Sequence, residues 1–185
     1  GDSWGGETGA GQGEYVRAPE PAGTRVRVPD RHADDEGTLR SMLPLTDLMG
    51  TGRHAAVSAG VGEGDTCIVV GDGDVGLCGV LAARRLGAER IVAMGHHEDR
   101  LDLAEQFGAT ATVAARGAEA VERATELTSG GATHVLECVG AASAVDPAIE
   151  ARRPRGTVGY VGVPHGVHDA RLGLFGLFPQ DRPHR

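Results

Sequence analysis

Three glycines in this chain follow an apolar segment at the spacing G-x-G-x-x-G. They are Gly71, Gly73 and Gly76, and they lie between the apolar residues 66–70 and an Ala- and Leu-rich stretch. In this order Gly71 permits a sharp exit from a strand, Gly73 lets a phosphate approach the backbone, and Gly76 lets a helix pack closely on the sheet. The free N–H groups at the start of that helix attract an anion. The segment therefore predicts a dinucleotide-binding site.

From residue 66 onward, strand-like and helix-like segments alternate. The predicted strands are 66–70, 90–94, 111–114, 133–138 and 157–161, and the predicted helices are 75–86, 98–107, 119–128 and 143–152. Continuous apolar strands between amphipathic helices are typical of a parallel sheet covered on both faces. The predicted fold class is therefore α/β, with a doubly wound, Rossmann-type parallel sheet.

The regions on either side of this alternation read differently. Residues 14–17 and 24–29 resemble short strands of another sheet, whereas 38–49 and 51–59 have helical composition. A sixth strand is expected after Pro164, but the following residues have little strand character. We therefore divide the chain into a β-rich segment at 1–29, a linker with connecting helices at 30–65, a dinucleotide-binding domain at 66–165 and a tail at 166–185.

Composition excludes several functional classes. A formal net charge of −8, with no cluster of basic residues, argues against a nucleic-acid partner. No apolar run reaches the roughly 18 residues of a membrane helix, and the N-terminus does not resemble a secretion signal. We therefore expect a soluble, cytoplasmic protein with no membrane partner. The three cysteines are odd in number and lie in apolar segments, which favours buried thiols over a disulfide or a structural zinc site.

Several motifs together resemble one known family, the medium-chain dehydrogenase/reductases, and within it the zinc-dependent alcohol dehydrogenases. The motifs occur in the family's order between residues 11 and 166: GQGEYVR at 11–17, LTDLMGTG at 45–52, VGEGDT at 61–66, the glycine loop at 71–76, FGAT at 107–110, ECVG at 137–140 and GTVGYVG at 156–162. The resemblance implies that residues 14–29 are the last strands of a barrel-like catalytic domain. It also implies that the chain is a fragment or a truncated product.

The same resemblance suggests a metal ligand. In the branch of the family that uses a carboxylate as the third protein ligand of zinc, that residue occupies the position of Asp47, and Thr51 lies beside the nicotinamide ring. The Cys and His that supply the first two ligands fall in the missing part. Three ligands leave a fourth position for the substrate alcohol. One carboxylate does not hold zinc alone, so Asp47 as a helix-capping residue stays an equal alternative.

The end of the second strand indicates which dinucleotide is preferred. An NAD site has Asp or Glu there to bind the ribose 2′-OH, but this chain has Gly95 at that position. His96, His97 and Arg100 offer donors to a 2′-phosphate, which favours NADP over NAD. Alternatively the histidines are solvated loop residues and Arg100 pairs with nearby acids on its helix.

Further cofactor contacts follow from the loop and from the resemblance. Asp74 and Val75 lie in the phosphate loop, where Asp72 and Asp74 would repel a pyrophosphate if they faced it. By resemblance, backbone groups near the ends of the fourth and fifth strands lie beside the nicotinamide and its ribose. These residues are Val139, Gly140, Val161, Gly162 and Val163.

We interpret the chain as the cofactor-binding part of a zinc-dependent, alcohol dehydrogenase-like oxidoreductase. It would transfer hydride between NADP(H) and an alcohol or carbonyl substrate, and it is expected to be inactive alone. The alternatives are a zinc-free quinone or enoyl reductase, a non-catalytic nucleotide-binding remnant, and a methyltransferase, which the downstream motifs disfavour. The sequence does not identify the substrate. It does not decide the oligomeric state either, and a homo-oligomer is one alternative.

Overall fold

The computed structural model describes residues 14–15, 21–24 and 26–163. The chain divides into two compact units, Gly1–Leu43 and Pro44–Arg185. In the described part of the first unit lie the four-residue helix α1 (Pro21–Thr24), a 3₁₀ turn at Asp30–His32 and helix α2 (Glu36–Met42).

The strand predicted at 24–29 is wrong. Thr24 ends α1, and residues 26–29 form no strand. The side chain of Val26 is 94% exposed, so it packs against no sheet formed by the described residues. In the strand predicted at 14–17, Glu14 and Tyr15 are not in a strand, whereas Val16 and Arg17 fall outside the described residues.

The two predicted connecting helices are divided differently. Helix α2 ends at Met42, a 3₁₀ turn covers Leu43–Thr46, and helix α3 (Leu48–Ala59) runs through Gly50 without a break. Pro44 has no N–H to continue an α-helix. A glycine inside a helix costs only about 1 kcal/mol, so Gly50 does not interrupt it.

The second unit is built on five parallel strands in the order β3-β2-β1-β4-β5. This confirms the doubly wound fold class. The strands are β1 (Thr66–Val70), β2 (Arg90–Gly95), β3 (Ala111–Ala114), β4 (Ala132–Glu137) and β5 (Arg152–Tyr160), and the helices between them are α4 (Asp74–Arg85), α5 (Glu98–Phe107), α6 (Gly117–Leu127) and α7 (Ala142–Glu150). The sixth strand expected after Pro164 lies outside the described residues.

Strand β5 begins five residues earlier than predicted. Its first half contains Arg152, Arg153 and Arg155, which are partly or fully exposed. In the described sheet β5 pairs only with β4, and charged side chains are common on an edge strand. The predicted helix ending at 152 therefore ends instead at Glu150.

Apolar side chains alternate between the two faces of the sheet. Cys67 and Val69 of β1 pack in one core cluster with residues of α3, α4 and α5, whereas Ile68 and Val70 pack in the other with residues of α6 and α7. This is the period-two alternation of a strand buried on both sides. Among the described residues, no helix has the length and apolar content needed to cross a membrane.

Helices α3 and α4 approach closely at one glycine. A Cβ built on Gly52 would lie 2.6 Å from the Gly79 nitrogen and 2.8 Å from the Cys78 carbonyl carbon, both of which belong to the backbone of α4. A side chain at this position would therefore force the helices apart.

Two alanine substitutions in α3 test this contact. Gly52→Ala should lower the free energy of unfolding by about 1–3 kcal/mol, because the backbone of α4 has to move. The matched control Gly50→Ala meets nothing within 4 Å, so it should raise that free energy by about 0.5–1 kcal/mol. Urea unfolding followed by circular dichroism measures both, and equal effects of the two variants would contradict the close contact.

Candidate functional site

A cleft of about 860 Å³ opens at the carboxyl edge of the sheet. It is bounded by the loops that follow β1, β2, β3 and β4 and by one side of α7. Of the sequence-predicted cofactor residues, it brings together Gly71, Gly73, Gly95, His96, His97, Arg100 and Val139. Ligands of open α/β sheets bind at this edge, where the strand order reverses between β1 and β4.

The glycine loop has the geometry that its spacing predicts. Gly71 has a φ of 114°, which L side chains rarely adopt, and a Cβ on Gly76 would collide with the Gly71 carbonyl oxygen. A Cβ on Gly73 would meet nothing within 4 Å, and Gly73 lines the cleft. The backbone at Gly73 is thus open to an incoming group at the start of α4.

The carboxylate of Asp72 turns toward the loop that follows β2. Its Oδ2 accepts hydrogen bonds from the backbone N–H groups of His96 (2.9 Å) and His97 (2.8 Å), and from Nδ1 of the His97 ring (2.9 Å). Burial alone would raise the pKa of Asp72, but these donors and the charge of His97 hold it below its ordinary value. Asp74 is exposed in the first turn of α4, followed by the half-buried Val75.

Asp72 also explains why position 95 is a glycine. A Cβ on Gly95 would lie within 2.6 Å of the Asp72 carboxyl group. An acidic residue at the end of β2 is therefore incompatible with the present position of Asp72. The sequence revealed the missing acid at residue 95 but did not reveal the carboxylate that excludes it.

Ligand atoms of Asp72, His96 and His97 all lie within 4.8 Å of one another. Such a group has the composition of a metal site. However, Oδ2 of Asp72 already accepts three N–H groups. We interpret the group as a hydrogen-bonded cap of the loop that follows β2.

A second buried carboxyl group lies at the end of β4. The side chain of Glu137 is fully buried, and its Oε1 accepts hydrogen bonds from the N–H groups of Val139 and Gly140, each at 2.9 Å. Its backbone carbonyl accepts from the N–H groups of Val161 (3.0 Å) and Gly162 (3.2 Å). Burial raises the pKa of the Glu137 carboxyl, and the N–H groups of Gly140 and Val139 offset only part of that effect.

The backbone segments that follow β4 and β5 are in close contact with each other next to Glu137. A Cβ on Gly140 would overlap the Val163 carbonyl oxygen, and a Cβ on Gly162 would overlap the Gly140 nitrogen. The side chains of Val139 and Val163 are 44% and 60% exposed. Of the five residues predicted beside the nicotinamide, the structure thus brings Gly140, Gly162 and Val163 into contact.

Asp47 and Thr51 form a local pair away from the cleft lining. Asp47 precedes α3 at the N-cap position, where its Oδ1 accepts a hydrogen bond from the Thr51 hydroxyl at 2.8 Å. Among the described residues, Asp47 belongs to no group of three or more His, Cys, Asp or Glu side chains that could hold a metal ion. The described residues therefore do not by themselves fit a catalytic zinc site.

The cysteines carry no reactive thiolate. Burial raises the pKa of Cys67 and Cys78 and raises the pKa of Cys138 to about 12. All three are free thiols. They act as small apolar side chains in the core.

Sequence reasoning missed several residues that line the cleft. Arg116 is the N-cap residue of α6, in the loop after β3, and Ser143, Asp146 and Glu150 lie on α7. Nothing in their local sequence marks them. Only the pairing of β3 beside β2 and the position of α7 bring them to this edge.

Comparison with known proteins fits this geometry. The sequence profile described as zinc-binding dehydrogenase matches residues 75–182, which is more than half of the chain. The chain belongs to this family. The resemblance to zinc-dependent medium-chain alcohol dehydrogenases is thereby confirmed for the nucleotide-binding part.

Individual members of the family are similar to this chain over part of their length. An alcohol dehydrogenase of Cupriavidus necator is 31% identical over 153 residues, which cover 82% of this chain and 40% of the relative. An NADP-dependent isopropanol dehydrogenase of Clostridium beijerinckii is 31% identical over 135 residues, covering 72% and 38%. The solved alcohol dehydrogenase of Thermus sp. ATN1 superposes with a TM-score of 0.63 at 31% identity, covering 72% and 39%. The chain thus spans about two fifths of the length of these relatives.

The raised pKa of Glu137 makes stability depend on pH. The folded pKa lies above the unfolded value of 4.5, so the folded state binds the proton more tightly. The resulting stabilisation is present below pH 4.5 and is lost as the pH rises through the folded pKa.

Glu137→Gln removes this titration. Measured by urea unfolding between pH 4.5 and 8, the free energy of unfolding of the variant should rise relative to that of the wild-type chain as the pH increases. The exposed Glu126→Gln is the matched control and should show no such trend. A difference between Glu137→Gln and wild type that does not change with pH would contradict the raised pKa.

Proposed function

We propose that this chain is the cofactor-binding part of an alcohol dehydrogenase-like oxidoreductase that transfers hydride between NADP(H) and an alcohol or carbonyl substrate. The observation that carries the proposal is the open backbone at Gly73, at the mouth of the first strand–helix crossover and in a cleft at the reversal of strand order. Membership of the zinc-binding dehydrogenase family supports the reaction class.

The charges along the cleft support NADP over NAD. Gly95 offers no carboxylate to a ribose 2′-OH, and Oδ2 of Asp72 accepts hydrogen bonds from His96 and His97. Arg100 lines the same side of the cleft. The Clostridium beijerinckii relative is named as an NADP-dependent enzyme, which agrees with this preference.

The residues of this chain bind and orient the cofactor. The first N–H groups of α4 have no partner within the helix and would donate to the diphosphate. The packed backbone of Gly140, Gly162 and Val163 would form a rigid support for the nicotinamide ring. When bound, the nicotinamide supplies the C4 carbon that gives or accepts hydride, and a fixed ring orientation lowers the entropic part of the barrier.

The zinc-dependent step belongs to the whole protein in this proposal. Asp47 would be the third ligand once a Cys and a His from the rest of the enzyme join it, and Thr51 would lie beside the nicotinamide. The hydrogen bond from Thr51 already fixes the Asp47 carboxylate, as outer partners of metal ligands commonly do. Because the described residues lack the other ligands, we expect the isolated chain to show no alcohol oxidation.

A parallel titration tests the proposal. The purified chain is titrated into NADPH and into NADH while the fluorescence of the reduced nicotinamide is followed. We expect binding of both, with a Kd for NADPH at least about tenfold lower, since a charge-assisted hydrogen bond is worth about 1.5–3 kcal/mol. Equal or stronger binding of NADH would overturn the choice of NADP. Binding of neither would overturn the dinucleotide function itself.

Substitutions at Gly95 test the role of Asp72 in this preference. Gly95→Asp alone should weaken binding of both cofactors, because the new carboxylate collides with Asp72. Combining it with Asp72→Gly removes the collision, and NADH should then bind about tenfold more tightly than to the single variant through a hydrogen bond to its ribose. Tight NADH binding by the single variant would show that Asp72 is no obstacle.

A further inference from the structure

The carboxyl group of Glu137, the last residue of β4, is enclosed by two loops of the carboxyl edge. Its Oε1 accepts the N–H groups of Val139 and Gly140 in the loop after β4, each at 2.9 Å. A Cβ built on Gly162, in the loop after β5, would overlap Oε2. These are the two loops that the proposed function puts beside the nicotinamide.

The loop after β4 also lies directly against the glycine loop. A Cβ built on Gly71 would be 2.8 Å from Cγ2 of Val139, and the N–H of Cys138 donates to the Val70 carbonyl oxygen at 3.0 Å. A dinucleotide whose diphosphate is held at the start of α4 crosses the point where the strand order reverses. With its adenosine toward β2, its nicotinamide half extends toward β4. That half then lies next to the loop whose N–H groups Glu137 binds.

No positive charge of the described residues neutralises Glu137. Its side chain is fully buried, and its Oε2 has no hydrogen-bond partner in the part of the chain that the structure describes. Only backbone N–H groups oppose the rise in the carboxyl pKa that burial causes. The charged residues of α3, α4 and α7, the helices packed on β4, are exposed. A buried charge is screened less than an exposed one, so a cation arriving at these loops would favour the ionised form of Glu137.

Two other titratable groups of the described residues face Glu137. Burial, and to a lesser extent the negative charge of Glu137, raises the pKa of the Cys138 thiol to about 12. The same two causes raise the pKa of the Tyr160 hydroxyl above its ordinary value of 10.0. Both groups are therefore neutral at pH values below about 9, and a titration of this cluster in that range is the titration of Glu137.

We propose that the carboxyl group of Glu137 determines the preference of this chain for the oxidised over the reduced cofactor. This inference rests on the proposed function. The nicotinamide ring of NADP⁺ carries a positive charge, whereas the ring of NADPH is neutral. The ionised carboxyl group attracts the first ring and not the second. Binding of NADP⁺ therefore favours loss of the Glu137 proton, and binding of NADPH does not.

Isothermal titration calorimetry of the wild-type chain with NADP⁺ and with NADPH tests this linkage. The cofactor phosphates and the histidines of the cleft titrate in both complexes, so the ratio of the two Kd values isolates the charge of the nicotinamide. Between about pH 5.5 and 8.5 the ratio of the Kd for NADP⁺ to the Kd for NADPH should fall about tenfold as Glu137 ionises. Titrations in two buffers of different ionisation enthalpy should show more protons released with NADP⁺ than with NADPH.

Two substitutions at Glu137 assign the effect. Glu137→Gln keeps an oxygen for the N–H groups of Val139 and Gly140 but carries no charge, so the Kd ratio should lose its pH dependence and stay near the wild-type value at low pH. Glu137→Asp keeps the charge on a side chain that is one CH₂ shorter, and it should restore the fall of the ratio with pH. The exposed Glu126→Gln is the matched control and should behave like the wild-type chain. A purely structural role of Glu137 would change both Kd values together and leave their ratio as it was.

The outcomes are distinguishable from those of the proposed function. A Kd ratio that is constant with pH in the wild-type chain, or that still falls in Glu137→Gln, would show that the inference about Glu137 is wrong, and the dinucleotide function would stand. If the wild-type chain binds neither NADP⁺ nor NADPH, the proposed function fails and the role of Glu137 fails with it. The wild-type ratio and the proton release decide the question even if Glu137→Gln does not fold.

Discussion

The carboxylate of Asp72 ties the end of β1 to the loop after β2, and the layout of the cleft depends on this tie. One oxygen accepts three N–H groups from two consecutive residues, His96 and His97. The loop is thereby held in a turn that presents both imidazoles at the cleft. The same carboxylate fills the space that any side chain at residue 95 would need. A single buried charge thus shapes the loop and excludes a second acid from the end of β2.

Glu137 has a related place at the end of β4, yet its pKa moves in the opposite direction. Both carboxyl groups are almost completely buried, and both cap backbone N–H groups of a loop. Asp72 receives three donors on one oxygen, including an imidazole that can carry a positive charge, which outweighs desolvation. Glu137 has only backbone N–H donors, and its Oε2 has no hydrogen-bond partner among the described residues, so desolvation prevails. The donor that Asp72 has and Glu137 lacks is the imidazole of His97.

Local sequence predicted the sheet and its order of elements because both are carried by short-range patterns. The buried strands are apolar runs, and glycines such as Gly87 and Gly108 end the helices with positive φ values. The failures come from tertiary context. Residues 24–29 have strand composition, but the described residues give them no strand to pair with, and β5 extends to Arg152 only because β4 lies beside it.

The candidate site also has one part that local sequence predicts and another that depends on tertiary context. The glycine loop was predictable because the glycines are required by backbone geometry and close contacts within the loop itself. The partner of Asp72 was not, because 24 residues separate it from His96 and only the pairing of β1 with β2 brings them together. Arg116 was missed for the same reason, since only the pairing of β2 with β3 brings the end of β3 to the edge of the sheet where the cleft lies.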